Sequence, residues 1–104
     1  MDVSKILPIV RTKLRIKTTA FDAEDLTPTI QAAIADMKRV GVMVPDVLMP
    51  EDPTHALLLQ AVVLYCKGDF GNSPKAEVFH ECYEDLRDSM ALSTDYTVPG
   101  KEMA

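Results

Sequence analysis

The sequence predicts an all-α fold: a small bundle of about four helices around one central, buried helix. Three observations lead there. Apolar residues make up 47% of the 104, yet there are only four glycines and no stretch alternates apolar with polar as a half-buried strand would. Several windows instead repeat their apolar residues every three to four positions, the spacing of one helix face. One window, 56–66, is apolar at every position except Gln60, so a helix there needs cover on most sides. The length fits a single domain able to bury a core without staples. With no Trp, three Phe and three Tyr, that core has to be mainly aliphatic. The expected division is a helical domain over 1–92 and a flexible C-terminal tail over 93–104.

The first helix is expected over 3–15. Val3, Ile6, Leu7, Val10 and Leu14 share a face, and Pro8 falls near the start, where few N–H groups have helical partners. Its other side carries Arg11, Lys13 and Arg15. These read either as a solvated face with cations at the favourable end of the helix dipole, or as a docking surface for an acidic partner. A connector follows at Ile16–Phe21. The second helix has two candidate starts, the acidic DAED segment from Asp22 and the cap-plus-proline pair Thr27–Pro28. Its core face is Leu26, Ile30, Ala33, Ile34 and Met37, and Gly41 stops it.

Residues 42–52 hold two prolines and an apolar set, Met43, Val47, Leu48 and Met49, expected to pack on the chain's own core or else on a neighbouring subunit. The central helix is expected over about 54–68. Asp52 caps it, Pro53 opens it, and Gly68 and Gly71 bracket its end. Leu58, Val62 and Tyr65 are its core candidates. At about 15 residues it is shorter than the roughly 20 a bilayer requires, so no membrane span is expected.

Ser73–Pro74 predicts the start of a last helix over roughly 75–92. It turns Phe79, Cys82, Tyr83, Leu86 and Met90 inward and Glu77, Glu81, Glu84, Asp85 and Asp88 outward. Acids spaced i, i+4 repel one another and weaken the isolated helix slightly, so this face is either simply solvated or has a partner. In the tail, Tyr96 and Val98 are candidate anchors for a partner's groove.

The formal charge of −5 is unevenly placed. Residues 1–17 hold five cations and one acid; residues 18–104 hold six cations and fifteen acids. A basic end and an acidic remainder argue against wrapping nucleic acid, which takes many phosphate contacts, and suit copies that meet basic end to acidic flank. No secretory leader is expected, and both cysteines, Cys66 and Cys82, are expected as free, packed thiols in a reducing cytoplasm. No catalytic, cofactor or metal site is expected. His80 and Cys82 are two apart on one helix, His55 and Cys66 eleven apart on another, and neither spacing holds zinc. The letters GDFG at Gly68–Gly71 lack every other part of a kinase.

Taken in order, Leu14–Ile16, Asp22–Asp25, Gly41–Val42, the run Ala61 to Asn72 with Tyr65, Lys67, Phe70 and Gly71, and a closing stretch with Phe79, Tyr83, Leu86, Leu92 and Ser93–Tyr96 resemble the small head–tail connector proteins of long-tailed bacteriophages and prophages. The resemblance spans about residues 3–97. It implies a four-helix structural protein of the virion, made in the host bacterial cytoplasm. That protein assembles as a ring, a dodecamer, beneath the portal protein and presents a surface to a tail or stopper protein. DNA would pass through the extended channel without specific binding. Expected subunit or portal contacts are Arg11, Lys13 and Arg15, the acids Glu81, Glu84 and Asp88, and Tyr96 and Val98. The acids are alternatively a channel lining that keeps DNA from sticking. The rival reading is a small helical regulatory or adaptor protein bound to a host protein. A helix-turn-helix is weaker, because the helix after Gly41 is nearly all apolar.

Overall fold

A computed structural model describes residues 3–15, 26–45, 52–70 and 75–97, and every described element is helical. In chain order these are α1 (Val3–Lys13), α2 (Thr27–Arg39), α3 (Pro53–Phe70), α4 (Ala76–Ala91) and the short α5 (Thr94–Thr97). α3 is the post of the bundle: α1, α2 and α4 all pack on it, α4 most extensively.

α3 starts where its sequence says it should. Asp52 Oδ1 accepts the Thr54 N–H at 2.8 Å, and Pro53 follows, where a missing N–H costs nothing. Leu58, Ala61, Val62, Val63 and Cys66 are buried. The cover is incomplete on one side. Ala56, Leu57 and Gln60 are exposed, and Leu64 and Lys67 half-buried, along a single stripe. Gln60, the one polar residue within 56–66, lies in that stripe.

The expected stop at Gly68 is corrected: the helix runs on to Phe70. Gly68 is buried inside it, because the His80 ring of α4 lies where a side chain would be. A Cβ at Gly68 would sit 2.7 Å from that imidazole. Gly71 and the Ser73–Pro74 start fall outside the described residues, as does the Asp22 start of the second helix.

α2 buries its whole expected face: Leu26, Ile30, Ala33, Ile34 and Met37. Thr27 is not its cap; Leu26 before it is already helical at φ −73°, ψ −45°, and Pro28 sits in the first turn. Gly41, at φ +98°, ends the helix. The Val42 N–H reaches back to the Met37 carbonyl at 2.9 Å and the Gly41 N–H to that of Lys38 at 3.0 Å. Val42 is buried beside Met37, completing a Schellman stop with its apolar contact.

α1 buries Ile6 and Val10, with Val3, Leu7 and Leu14 packed at the margin. Pro8 stands where expected, after five helical residues, but that is past the first four N–H groups, which alone lack helical partners. It has no N–H to give to the Ser4 carbonyl, so α1 is held by its apolar stripe more than by its own backbone.

α4 runs antiparallel to α3. Tyr65 meets Tyr83 edge to face at 5.0 Å between ring centres. Gly68 faces His80, and Thr54 faces Tyr96. α4 buries Tyr83 and Met90, while Phe79 and Leu86 are half-buried. Cys82, expected on this face, is exposed instead. One residue before Tyr83, it is turned about 100° away from the buried line. Cys66 is buried as expected, and burial, with the Asp69 charge adding to it, pushes its thiol up to about 12.

Past α4, the chain packs on to Thr97. α5 lies against α4, and Tyr96 belongs to the core.

Candidate functional site

The basic end is the last turn of α1. Lys13 and Arg15 are exposed and Arg11 is half-buried. Arg15 sits at φ +61°, the left-handed position that follows a helix end and that usually belongs to glycine. Lys17 falls outside the described residues.

The acidic flank is α4. Glu77, Glu81, Glu84, Asp85 and Asp88 are all exposed. Asp88 is engaged by Arg87 at 2.9 Å. Among the described residues, none of Glu77, Glu81, Glu84 and Asp85 forms an ion pair within 4.0 Å. The last turn of α4 carries no basic residue, although that is where the helix dipole favours cations. This face repels itself and leaves its charge available to something outside the chain.

The core candidates divide. Leu58 and Val62 are fully buried; Tyr65, Phe79 and Leu86 are half-buried at the α3–α4 seam, where Lys67 Nζ stands 5.5 Å over the Phe79 ring.

Tyr96 is a correction. It is not a tail side chain waiting for a partner but is buried in this chain's own core. Its carbonyl accepts the Met43 N–H at 2.7 Å, and its phenol shares a hydrogen bond with Thr54. Burial, with the carboxylates of Asp95 and Asp52 nearby, raises the phenol above its usual range. The sequence signal for this was weak: an isolated aromatic among polar residues reads equally well as exposed. Val98 falls outside the described residues, as do Val47, Leu48 and Met49. Of the apolar loop set, only Met43 is described, and it is exposed.

One cluster escaped the sequence reading. Asp36 of α2 accepts hydrogen bonds from the Tyr83 hydroxyl at 2.7 Å and Arg87 at 2.9 Å, both on α4, and from its own-helix neighbour Arg39 at 2.7 Å. Burial alone would raise the Asp36 carboxyl. The bonds from Tyr83, Arg39 and Arg87 outweigh it and hold the group at about 2. Burial, and after it the bond to Asp36, raises Tyr83; the bonds to Asp36 and Asp88 raise Arg87. Arg87, the one arginine among the acids of α4, is the only hint in the sequence. Its partner lies 51 residues away, so no local pattern reveals it.

Among the described residues no three His, Cys, Asp or Glu gather as a metal site, and no helix is long and apolar enough to cross a membrane. His80 pairs with Asp69 at 3.6 Å at the α3–α4 seam rather than with Cys82. What the molecule offers outward is charge: a cationic helix end and an anionic helix face on one small bundle.

The comparisons with known proteins agree with an assembly part. No curated protein and no solved structure matches the chain. The family model described as "Phage connector protein" matches residues 6–97, from the first buried residue of α1 to the last residue of α5. The chain belongs to the phage connector protein family.

Proposed function

We propose that this phage structural protein joins the DNA-filled head to the tail. In this reading, copies form a ring, a dodecamer, on the portal protein and present a surface to a tail or stopper protein. DNA crosses the ring without specific binding. The observation that carries the reading is the split of charge over the bundle: cations at the end of α1, and four exposed acids of α4 that no ion pair of this chain satisfies among the described residues. A head-to-tail contact between unlike patches generates a ring when its rotation closes. Steering by such patches favours the right encounter over wrong ones.

Arg11, Lys13 and Arg15 form one side of that contact, with Glu81, Glu84 and Asp85 the other. Asp88, already held by Arg87, adds less. Val98 lies beyond α5 and is retained as a contact to portal or tail. Tyr96, buried in this chain's own core, is not part of this charge contact.

The test is reversal and rescue. Arg11→Glu with Arg15→Glu abolishes co-sedimentation with portal-bearing heads and leaves far-UV circular dichroism unchanged. Adding Glu81→Lys and Glu84→Lys restores assembly in part, because the charges are again complementary. Assembly unaffected by the first pair removes these residues from the interface. Loss without rescue leaves the basic end touching portal rather than the next copy.

A further inference from the structure

The joint between α4 and α5 differs from the ends of α1 and α2, each of which is marked by a residue at positive φ. α2 is stopped by Gly41 at φ +98°. α4 gives way to α5 with neither glycine nor proline between Ala91 and Thr97. Leu92 keeps right-handed dihedrals at φ −92°, ψ −5°, and its N–H still reaches back to the Asp88 carbonyl at 3.2 Å. Only Leu92 and Ser93 separate the two helices, and nothing in their local sequence requires a turn.

Several contacts hold the turn in place: the Ser93 N–H reaches the Met90 carbonyl at 3.0 Å, and the Tyr96 N–H and Thr97 hydroxyl reach the Ser93 carbonyl at 3.1 and 2.8 Å. The Ser93 hydroxyl accepts the Asp95 N–H at 3.2 Å, as a cap would. Tyr96 is buried against the Val42–Val44 segment and the first turn of α3, through Met43 and Thr54. At the joint itself Leu92 is 89% exposed, the most exposed large apolar side chain described. In the closed monomer it has no role.

We propose that α5 exchanges between copies: α4 straightens through Ser93, and its Tyr96 docks beside Met43 and Thr54 of a second copy. The occupant is settled by the site, since the slot already fits this segment in the monomer. Swapping an identical element keeps every docking contact and adds only new contact at the joint, where Leu92 becomes covered. A two-residue joint favours the exchange, because a short hinge closes back on itself less easily than a long one. Passed in one direction from copy to copy, α5 links neighbours irrespective of what they dock on.

The test needs no portal. Ser93→Ala removes the cap and favours a continuous helix, so it strengthens self-association by roughly five- to tenfold, the worth of one cap, in light scattering over a concentration series. The Met43 amide stays protected from hydrogen exchange in the oligomer, because a neighbour's Tyr96 carbonyl replaces the chain's own. Inserting Gly-Ser-Gly after residue 93 of that variant lets α5 fold back and returns it to monomer, with Tyr96 intact. Ser93→Ala that stays monomeric overturns the proposal. So does an oligomer with an unprotected Met43 amide, and so does one that survives the insertion. None of these outcomes bears on Arg11 and Arg15, so the charge contact stands or falls separately.

Discussion

Asp36 is the residue whose chemistry reaches furthest. Its side chain is 22% exposed, yet it takes three hydrogen-bonding partners on two helices. A carboxylate held at about 2 against an ordinary 3.8 stabilises the fold wherever it is ionised in both states. Its folded value lies below its unfolded one, so the contribution is complete above about pH 4 and fades as pH falls toward 2. Discounted for its exposure, it is worth about 1–2 kcal/mol. Asp36→Asn should therefore lower the unfolding free energy from urea titration at pH 7 by that amount and flatten the loss of stability between pH 4 and pH 2. An unchanged acid profile would mean the clamp carries no weight.

Gly68 and His80 make a second residue-scale case. Gly68→Ala gains about 1 kcal/mol of helix propensity and meets the imidazole at 2.7 Å. His80 is 42% exposed and can swing outward, so the net effect should be small alone. With His80→Ala in place the clash is gone, and Gly68→Ala should stabilise by about 1 kcal/mol. A double-mutant cycle with no coupling would show that the close approach imposes no cost.

At the scale of the element, each helix is fixed by a different device. α2 is stopped by Gly41, whose Cβ position is open space, so replacing it tests backbone strain alone. Gly41→Ala should cost about 1 kcal/mol, and Gly41→Asn less, in thermal unfolding. α1 ends on Arg15 at φ +61°, where Gly would be more comfortable. Arg15→Gly should raise the melting temperature slightly while weakening assembly. A side chain kept in a strained position for its charge would show that opposition, and one of no consequence would not. α3 relies on Asp52 and on packing, and α4 on packing against α3 and the Asp36 bridge.

At the scale of the whole molecule, α3 is covered on three sides and left open along Leu57, Gln60 and Leu64, with charge segregated between α1 and α4. The proposed assembly contact joins charges at the surface, so salt screens it. Raising salt from about 0.05 to 0.5 M shortens the Debye length from roughly 14 to 4 Å and should weaken assembly onto portal while leaving the monomer's melting temperature nearly unchanged. Assembly indifferent to salt would point to an apolar contact instead.

Much of this protein was set by order along the chain. Periods of three to four residues placed the core face of α2 residue for residue, and the Asp52–Pro53 and Gly41 signals placed the ends of α3 and α2, because caps and amphipathic faces are local physics. The split between a basic start and an acidic remainder is likewise a property of sequence alone. What only the tertiary structure decided is contact at long range. Tyr96 is core because Met43 and Thr54 meet it, Gly68 is a seat for His80 rather than a stop, and Asp36 bonds Tyr83 and Arg87, 47 and 51 residues away. The periodicity of a helix reports which face turns inward, and it carries no information on which distant side chain stands opposite.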